Sequence, residues 1–237
     1  MNVEQQKETL PVRNVSELFT SSTTQQQGTD GGRHGSLLPD SVRALIVGPS
    51  GCGKTNVALS LLLAENGLKF DGIYLYTTTA WQDMYRFLAK VTEGICPLYV
   101  FDKGESVVKP ADARPNSVFL FDDVALEKQD AVKEHFSAGR HKHNDALYMC
   151  QTYTKIPKQL VRDNANVIVL FRQDDHNLQV VYNEHVDPSD FEGSFEKFKT
   201  LCYNVWKGNT HAFLVIDKTR SVRNGRYRDG FDKFIIV

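Results

Sequence analysis

The 237 residues of the chain suffice for one large domain or two small ones, either able to bury a sizeable core. Its 41% hydrophobic and 24% charged content is that of an ordinary globular protein, and a formal net charge of −1 excludes one that coats nucleic acid through its overall field. No apolar run approaches the ~20 residues of a membrane span, no signal-peptide core opens the chain, and four dispersed cysteines (Cys52, Cys96, Cys150, Cys202) without a C-x-x-C pair suit free thiols, so a soluble intracellular protein without membrane contact is expected.

Residues 1–38 are rich in Gln, Ser, Thr and Gly and carry little to bury, which predicts a flexible N-terminal tail. "VSELF", residues 15–19, is its one candidate docking element. From residue 39 to 237 the pattern is that of a single folded domain. "RALIVG" is a short apolar strand, followed by the helical "KTNVALSLLLAEN". "GIYLYTT" predicts the next strand, Trp81 to about Thr92 a helix, and "PLYVF" another strand. "SVFLFDDV" is continuously apolar, as a strand buried on both faces of a parallel sheet should be. "EKQDAVKEHF" predicts the helix after it. "ALYMC" and "NVIVLF" are two further buried strands, separated by the turn or short helix "KIPKQLVRDN". Helical patterns cover 174–185 and 189–203, and "HAFLVI" and "KFIIV" close the chain as strands around a polar basic stretch. Strands alternating with helices predict an α/β fold, a mostly parallel sheet with helices on both faces.

"GPSGCGKT" (Gly48, Pro49, Ser50, Gly51, Cys52, Gly53, Lys54, Thr55) matches G-x-x-x-x-G-K-[ST] between a strand and a helix. Glycines there let backbone N–H groups curl around a phosphate at a helix N-terminus, which carries partial positive charge. Lys54 is placed to reach β- and γ-phosphates, and the Thr55 hydroxyl to hold Mg²⁺. Such a site needs a second acidic group, and Asp122 and Asp123 supply two carboxylates at the C-terminal end of a strand, the edge where open α/β sheets bind ligands. Asp122 belongs to the Mg²⁺ shell; Asp123 orients or deprotonates an attacking water, or else caps the following helix.

Gln151 ends the "ALYMCQ" strand. It is either an amide sensing the γ-phosphate and the attacking water, or a solvated strand end. Arg140 stands before that strand, several elements from the phosphate loop, and can serve a neighbouring subunit's site as an inserted arginine or lie in a surface ion pair. Arg162 and Arg172 compete for the first role. His141 and His143, even with Cys150, lack a fourth ligand at metal-site spacing, so zinc is not expected.

Together "GPSGCGKT", "FLFDDV", "GRHKHNDALYMCQTYTKIPKQLVRDNAN" and "VLFRQD" resemble the genome-packaging ATPases of the FtsK–HerA superfamily, in the branch of poxviruses, virophages and Polinton- or adintovirus-like elements. The resemblance runs from about Val42 to Gln173, with "AFLVIDK…YRDGFDKF" weakly similar. It implies a RecA/FtsK–HerA-like P-loop NTPase fold and an ATP- and Mg²⁺-dependent motor that works as a homo-oligomeric ring. Such a motor drives double-stranded DNA into a preformed capsid, with capsid proteins as further partners. By motif, Lys54 and Thr55 bind nucleotide and Mg²⁺, Asp122 and Asp123 form the second acidic motif, Gln151 is the sensor and Arg140 the finger acting in trans. Asp123 departs from the Glu often found at the water-activating position. For gripping DNA, "KTRSVRNGRYR" (Lys218–Arg228) offers five cations, no acid and Tyr227, or is a solvated hairpin loop; "TYTKIPK" after Gln151 is the second candidate. Other readings of the phosphate loop are a repair or segregation translocase, a small-molecule kinase and a non-hydrolysing assembly scaffold.

Overall fold

The computed structural model describes residues 2–12, 32–102, 107–124 and 130–237. The strands are β1 (Asn2–Gln5), β2 (Arg43–Val47), β3 (Gly72–Thr77), β4 (Leu98–Phe101), β5 (Ser117–Asp122), β6 (Asp145–Cys150), β7 (Val167–Leu170), β8 (Leu214–Asp217), β9 (Tyr227–Asp229) and β10 (Lys233–Ile236). They form one 10-stranded sheet in the order β1-β10-β9-β8-β7-β2-β6-β5-β3-β4. From β7 to β4 every pairing is parallel. From β7 outward to β1 every pairing is antiparallel. The α/β fold with a largely parallel centre is therefore as the alternation of apolar runs requires.

Among the described residues five α-helices cover the sheet: α1 (Lys54–Leu63), α2 (Asp83–Thr92), α3 (Asp130–Ala138), α4 (Asp175–His185) and α5 (Phe195–Trp206). Side chains alternate across a strand, so each central strand feeds two cores. Ala44, Ile46, Leu75, Leu120 and Met149 pack with Val57, Leu61 and Leu88 of α1 and α2. Leu45, Val47, Tyr76, Phe121 and Tyr148 pack with Val132, Phe136, Val181 and Leu201 of α3, α4 and α5. Both faces of β3, β5 and β6 are buried, which is why these strands read as unbroken apolar runs rather than alternating ones. Each large side chain sealed there contributes roughly 1.5–3 kcal/mol over exposure. The second core also holds an aromatic ladder, with Tyr74 and Phe119 stacked at 4.5 Å and Tyr76 and Phe101 at 4.5 Å.

The ends of the chain differ from expectation. Within the expected tail, Asn2–Gln5 pairs with β10 as the sheet's outermost strand, and Leu10 is buried. Residues from Gly32 onward pack too: Arg33 donates to the buried Asp145 carboxylate at 3.2 Å, and the His34 ring lies 3.1 Å from it. "VSELF" lies outside the described residues, as do residues 127–129 at the start of the helix expected from Glu127, which is α3 from Asp130. The basic stretch near the C-terminus contains a strand, β9, which local composition conceals. No helix among the described residues is long and apolar enough to cross a membrane.

Candidate functional site

The parallel strands β2, β5 and β6 all end at one edge of the sheet, and the sequence motifs meet there. The phosphate loop leaves β2 at Gly48, whose N–H donates to the Cys150 carbonyl at the end of β6 (3.1 Å). A Cβ at Gly48 would lie 2.5 Å from the Phe171 Cβ and 2.6 Å from the Cys52 Sγ, so the loop passes where only glycine fits. Gly53, which hands the loop to α1, has φ of 108°, a left-handed backbone that costs a side chain dearly. The first turn of α1 carries no acidic residue, leaving its positive end unopposed for an anion. The Lys54 ammonium arches over the loop and donates to the Gly48 and Pro49 carbonyls at 2.7 and 2.9 Å.

An open pocket of about 380 Å³ is lined by Ser50, Gly51, Gly53, Lys54, Thr55, Asp122, Asp123 and Gln151, among others. The structure thus brings together the loop, both carboxylates and the strand-end amide. Asp122 is the last residue of β5 and is buried; burial pushes its carboxyl pKa up, against the Tyr85 hydrogen bond that lowers it. Asp123 follows in the left-handed region (φ 56°), so the chain turns out of the strand at this residue and its exposed side chain borders the pocket. Strained backbone of this kind is held in place only by its surroundings.

Sequence reasoning missed Tyr85. It projects from α2 into the core, and its hydroxyl donates to the Asp122 Oδ2 at 2.5 Å, with the Thr55 and Thr77 hydroxyls beside it. Burial and then the Asp122 charge hold its phenol well above its usual pKa, so it stays a donor. One hydroxyl therefore ties the end of the phosphate loop to the second acidic motif. In sequence, Tyr85 looks like any aromatic on the apolar face of an amphipathic helix.

The arginine candidates separate. Arg140 stands in a single 3-10 turn, Gly139–Lys142, before β6, hence at the opposite sheet edge from the phosphate loop. Six residues of strand put it about 20 Å away from its own site; its side chain and that of His141 lie outside the described residues. Arg162 is not available to a neighbour: it is buried, bonds the Glu184 carboxylate at 3.0 Å and lies 5.1 Å from the Tyr153 ring. Arg172 is exposed, 5.8 Å from the Tyr203 ring, and borders a second cavity of about 430 Å³ with Pro49, Ser50 and Gly51.

The Lys218–Arg228 stretch is corrected as a DNA grip, because most of its cations serve the fold. Arg228 is fully buried, bonds Asp217 at 2.7 Å and donates to the Leu37 and Gly225 carbonyls. Burial, against the pull of Asp217, brings its pKa down to about 10. Arg220 also pairs with Asp217 (3.1 Å), and Arg226 with Asp190 (2.9 Å). Lys218 is half-buried beside His185; Arg223 is exposed. In "TYTKIPK", Tyr153 and Ile156 are buried and Lys155 and Lys158 exposed, so this loop presents charge beyond Gln151.

Neither a protein-family model nor a curated protein sequence matches the chain. Solved structures do. B204, the DNA-packaging ATPase from Sulfolobus turreted icosahedral virus, is similar at a TM-score of 0.53 and 18% identity, over 76% of this chain and 94% of that one. The genome packaging NTPase B204 from Sulfolobus turreted icosahedral virus 2 is similar in its complex with sulfate (TM-score 0.53, 15% identity, 76% of this chain and 92% of that one). The same holds for its complex with AMPPCP (0.53, 16%, 76% and 93%). With the loop, the strand order and the edge they share, this likeness establishes the architecture of the chain: an α/β P-loop NTPase fold.

Proposed function

We propose that the chain is an ATPase whose turnover drives double-stranded DNA into a preformed viral or virus-like capsid, acting as a homo-oligomeric ring. The observation that carries the hydrolytic part is the convergence of Ser50, Gly51, Gly53, Lys54 and Thr55 of the phosphate loop with Asp122, Asp123 and Gln151 on one pocket. A bare nucleotide binder has no use for two adjacent carboxylates beside its phosphate loop. The packaging part is supported by the resemblance in the motifs and by the fold shared with packaging NTPases. Residues 39–237 form the catalytic unit.

In this reading the loop amides and Lys54 hold the β- and γ-phosphates. The donor set fits a hard divalent cation, since the Thr55 hydroxyl and the Asp122 carboxylate are oxygen donors joined through one tyrosine. Bound Mg²⁺ would offset charge on the β- and γ-phosphate oxygens, with Thr55 and Asp122 holding it. Asp123 orients a water on the γ-phosphate and accepts its proton, and Gln151 reports whether that phosphate is present. Arg140 enters the site of an adjacent subunit and stabilises charge on the equatorial oxygens; its place at the far sheet edge supports action in trans over action in cis. Lys155 and Lys158 meet DNA phosphates without reading sequence.

The test is steady-state ATP hydrolysis against protein concentration, with and without long double-stranded DNA, with Lys54→Ala as the blank. Turnover that rises faster than linearly and is stimulated by DNA supports the reading. Linear, DNA-indifferent turnover overturns the ring translocase and favours a small-molecule kinase.

A further inference from the structure

Arg140 stands in the Gly139–Lys142 turn, and from there the chain must return into β6 at Asp145. The return is made by His143, in the left-handed region (φ 56°), and by Asn144, whose N–H donates to the Gly139 carbonyl at 3.1 Å. Just before β5 the chain passes a second left-handed residue, Asn116 (φ 52°), whose N–H donates to the Lys142 carbonyl at 2.9 Å. The Asn144 Oδ1 accepts from the Ser117 N–H at 3.0 Å. Neither His143 nor Asn116 is glycine, so both conformations persist only because their surroundings impose them.

A side chain from the N-terminal segment joins the two. The Arg33 guanidinium donates through Nε and Nη2 to the Asn116 Oδ1 at 3.1 and 2.8 Å, and through Nη2 also to the His143 carbonyl. Its Nη1 donates to the Asp145 Oδ1 at 3.2 Å. Asp145 is fully buried and accepts from the Val42 N–H at 2.8 Å, so the anchor beneath Arg33 is fixed at the start of β6. Arg33 is held in turn by Asp40, whose Oδ1 accepts the Arg33 N–H and whose carbonyl accepts from Nη1, both at 3.1 Å. Arginine's planar fork of donors spans acceptors on separate segments at once, which a single ammonium on a flexible stem does not. This clasp and the phosphate pocket of the same chain stand at opposite ends of β6.

We infer that Arg33 is a positioning residue for the arginine that acts in trans: by tying His143 to Asn116 and Asp145 it fixes the turn that carries Arg140. The inference rests on the reading of Arg140 as a residue that completes an adjacent subunit's site. Misplacing a catalytic group by about 1 Å can cost roughly 10²-fold in rate. The path of this turn therefore matters to the neighbour's hydrolysis and not to the subunit's own hold on nucleotide.

The test is complementation between full-length variants in steady-state ATP hydrolysis with long double-stranded DNA present. Arg33→Ala removes the clasp. Arg33→Lys keeps a cation facing Asp145 while giving up the shared link to His143 and Asn116, and it decides the matter if urea unfolding shows that Arg33→Ala does not fold. Arg33→Ala should lose roughly 10²-fold in kcat with the KM for ATP unchanged, and Arg33→Lys should lose less. Lys54→Ala has a dead site but an intact Arg140 turn. Mixed with it, the Arg33 variants should regain roughly tenfold over either partner alone, because the Lys54→Ala neighbour completes sites that the Arg33 variants leave whole. A merely structural role for Arg33 leaves the defect in its own subunit and gives no recovery. The parallel mixture is Arg140→Ala with Lys54→Ala. If that mixture recovers and the Arg33 variants do not, or if both Arg33 variants keep full kcat, the positioning role is overturned while the trans reading stands. If Arg140→Ala does not recover either, the trans reading falls and the role of Arg33 with it.

Discussion

The Tyr85 hydroxyl and the Asp122 Oδ2 lie 2.5 Å apart, and the Thr55 hydroxyl stands beside the same phenol. The two residues assigned to Mg²⁺ are thus held by a third that the binding motifs do not contain. Tyr85→Phe keeps the ring in its core and removes only this link. Losing a hydrogen bond to a buried carboxylate should lower unfolding stability by about 1–3 kcal/mol. The Mg²⁺ concentration giving half-maximal ATP turnover should rise several-fold. Because the Tyr85 bond opposes the upward push of burial on Asp122, the acid limb of the pH–rate profile should move to higher pH. Mg²⁺ titrations of turnover between pH 5 and 8 check both effects.

If Arg140 completes the site of an adjacent subunit, subunits lacking it should poison those that have it. Mixed at a constant total concentration with unaltered chains, Arg140→Ala should depress turnover by more than its share of subunits, and the pure variant should fall by ~10³-fold or more. Full activity in the pure Arg140→Ala oligomer would sink the assignment.

His135 lies 3.8 Å from the Phe119 ring and bonds the Val108 carbonyl at 2.7 Å. Burial brings its pKa down to about 4, against that single hydrogen bond. As pH falls below about 6.5, the unfolded chain takes up a proton that the folded chain refuses, so stability drops between pH 6.5 and 4. The drop attributable to this residue should reach about 2 kcal/mol at pH 5. Urea unfolding at pH 7.5 and 5 should show it, and His135→Gln should remove this residue's share of the drop, leaving that of the buried His185.

Arg228 and Asp217 form a fully buried pair at 2.7 Å. Removing one partner of such a pair typically costs about 3–5 kcal/mol, and Arg220 remains to offset part of the Asp217 charge, so Arg228→Ala should cost about 3 kcal/mol. Arg223→Ala, one turn away and exposed, should cost less than about 0.5 kcal/mol. Urea midpoints of the two variants make the comparison.

The phosphate loop was legible because its strand, turn and helix are contiguous in sequence. Asp122, Asp123 and Gln151 were legible because each follows an apolar run, and parallel strands deliver their C-terminal ends to one edge. Tyr85 was not, since the destination of its hydroxyl depends on β3 lying beside β5, a pairing that local sequence does not contain. The cations were misleading for a related reason. A run of Lys and Arg is by default a solvated surface, and only the fold reveals that Asp217 and Asp190 neutralise Arg228 and Arg226. β1 and β9 escaped because they are short and polar, and their pairing partners rather than their own residues make them strands.

The central strand β2 has its register set by β6 and β7, with Arg43 opposite Ala146 and Ala44 opposite Val167. Both partners leave the ribosome only after everything from α1 to α3. At typical synthesis rates the finished phosphate loop therefore waits on the order of ten seconds for the strands that brace it. The wait is longer still at the rim of the sheet, where β1 must hold until β10 has been made before Asn2 can pair with Ile236.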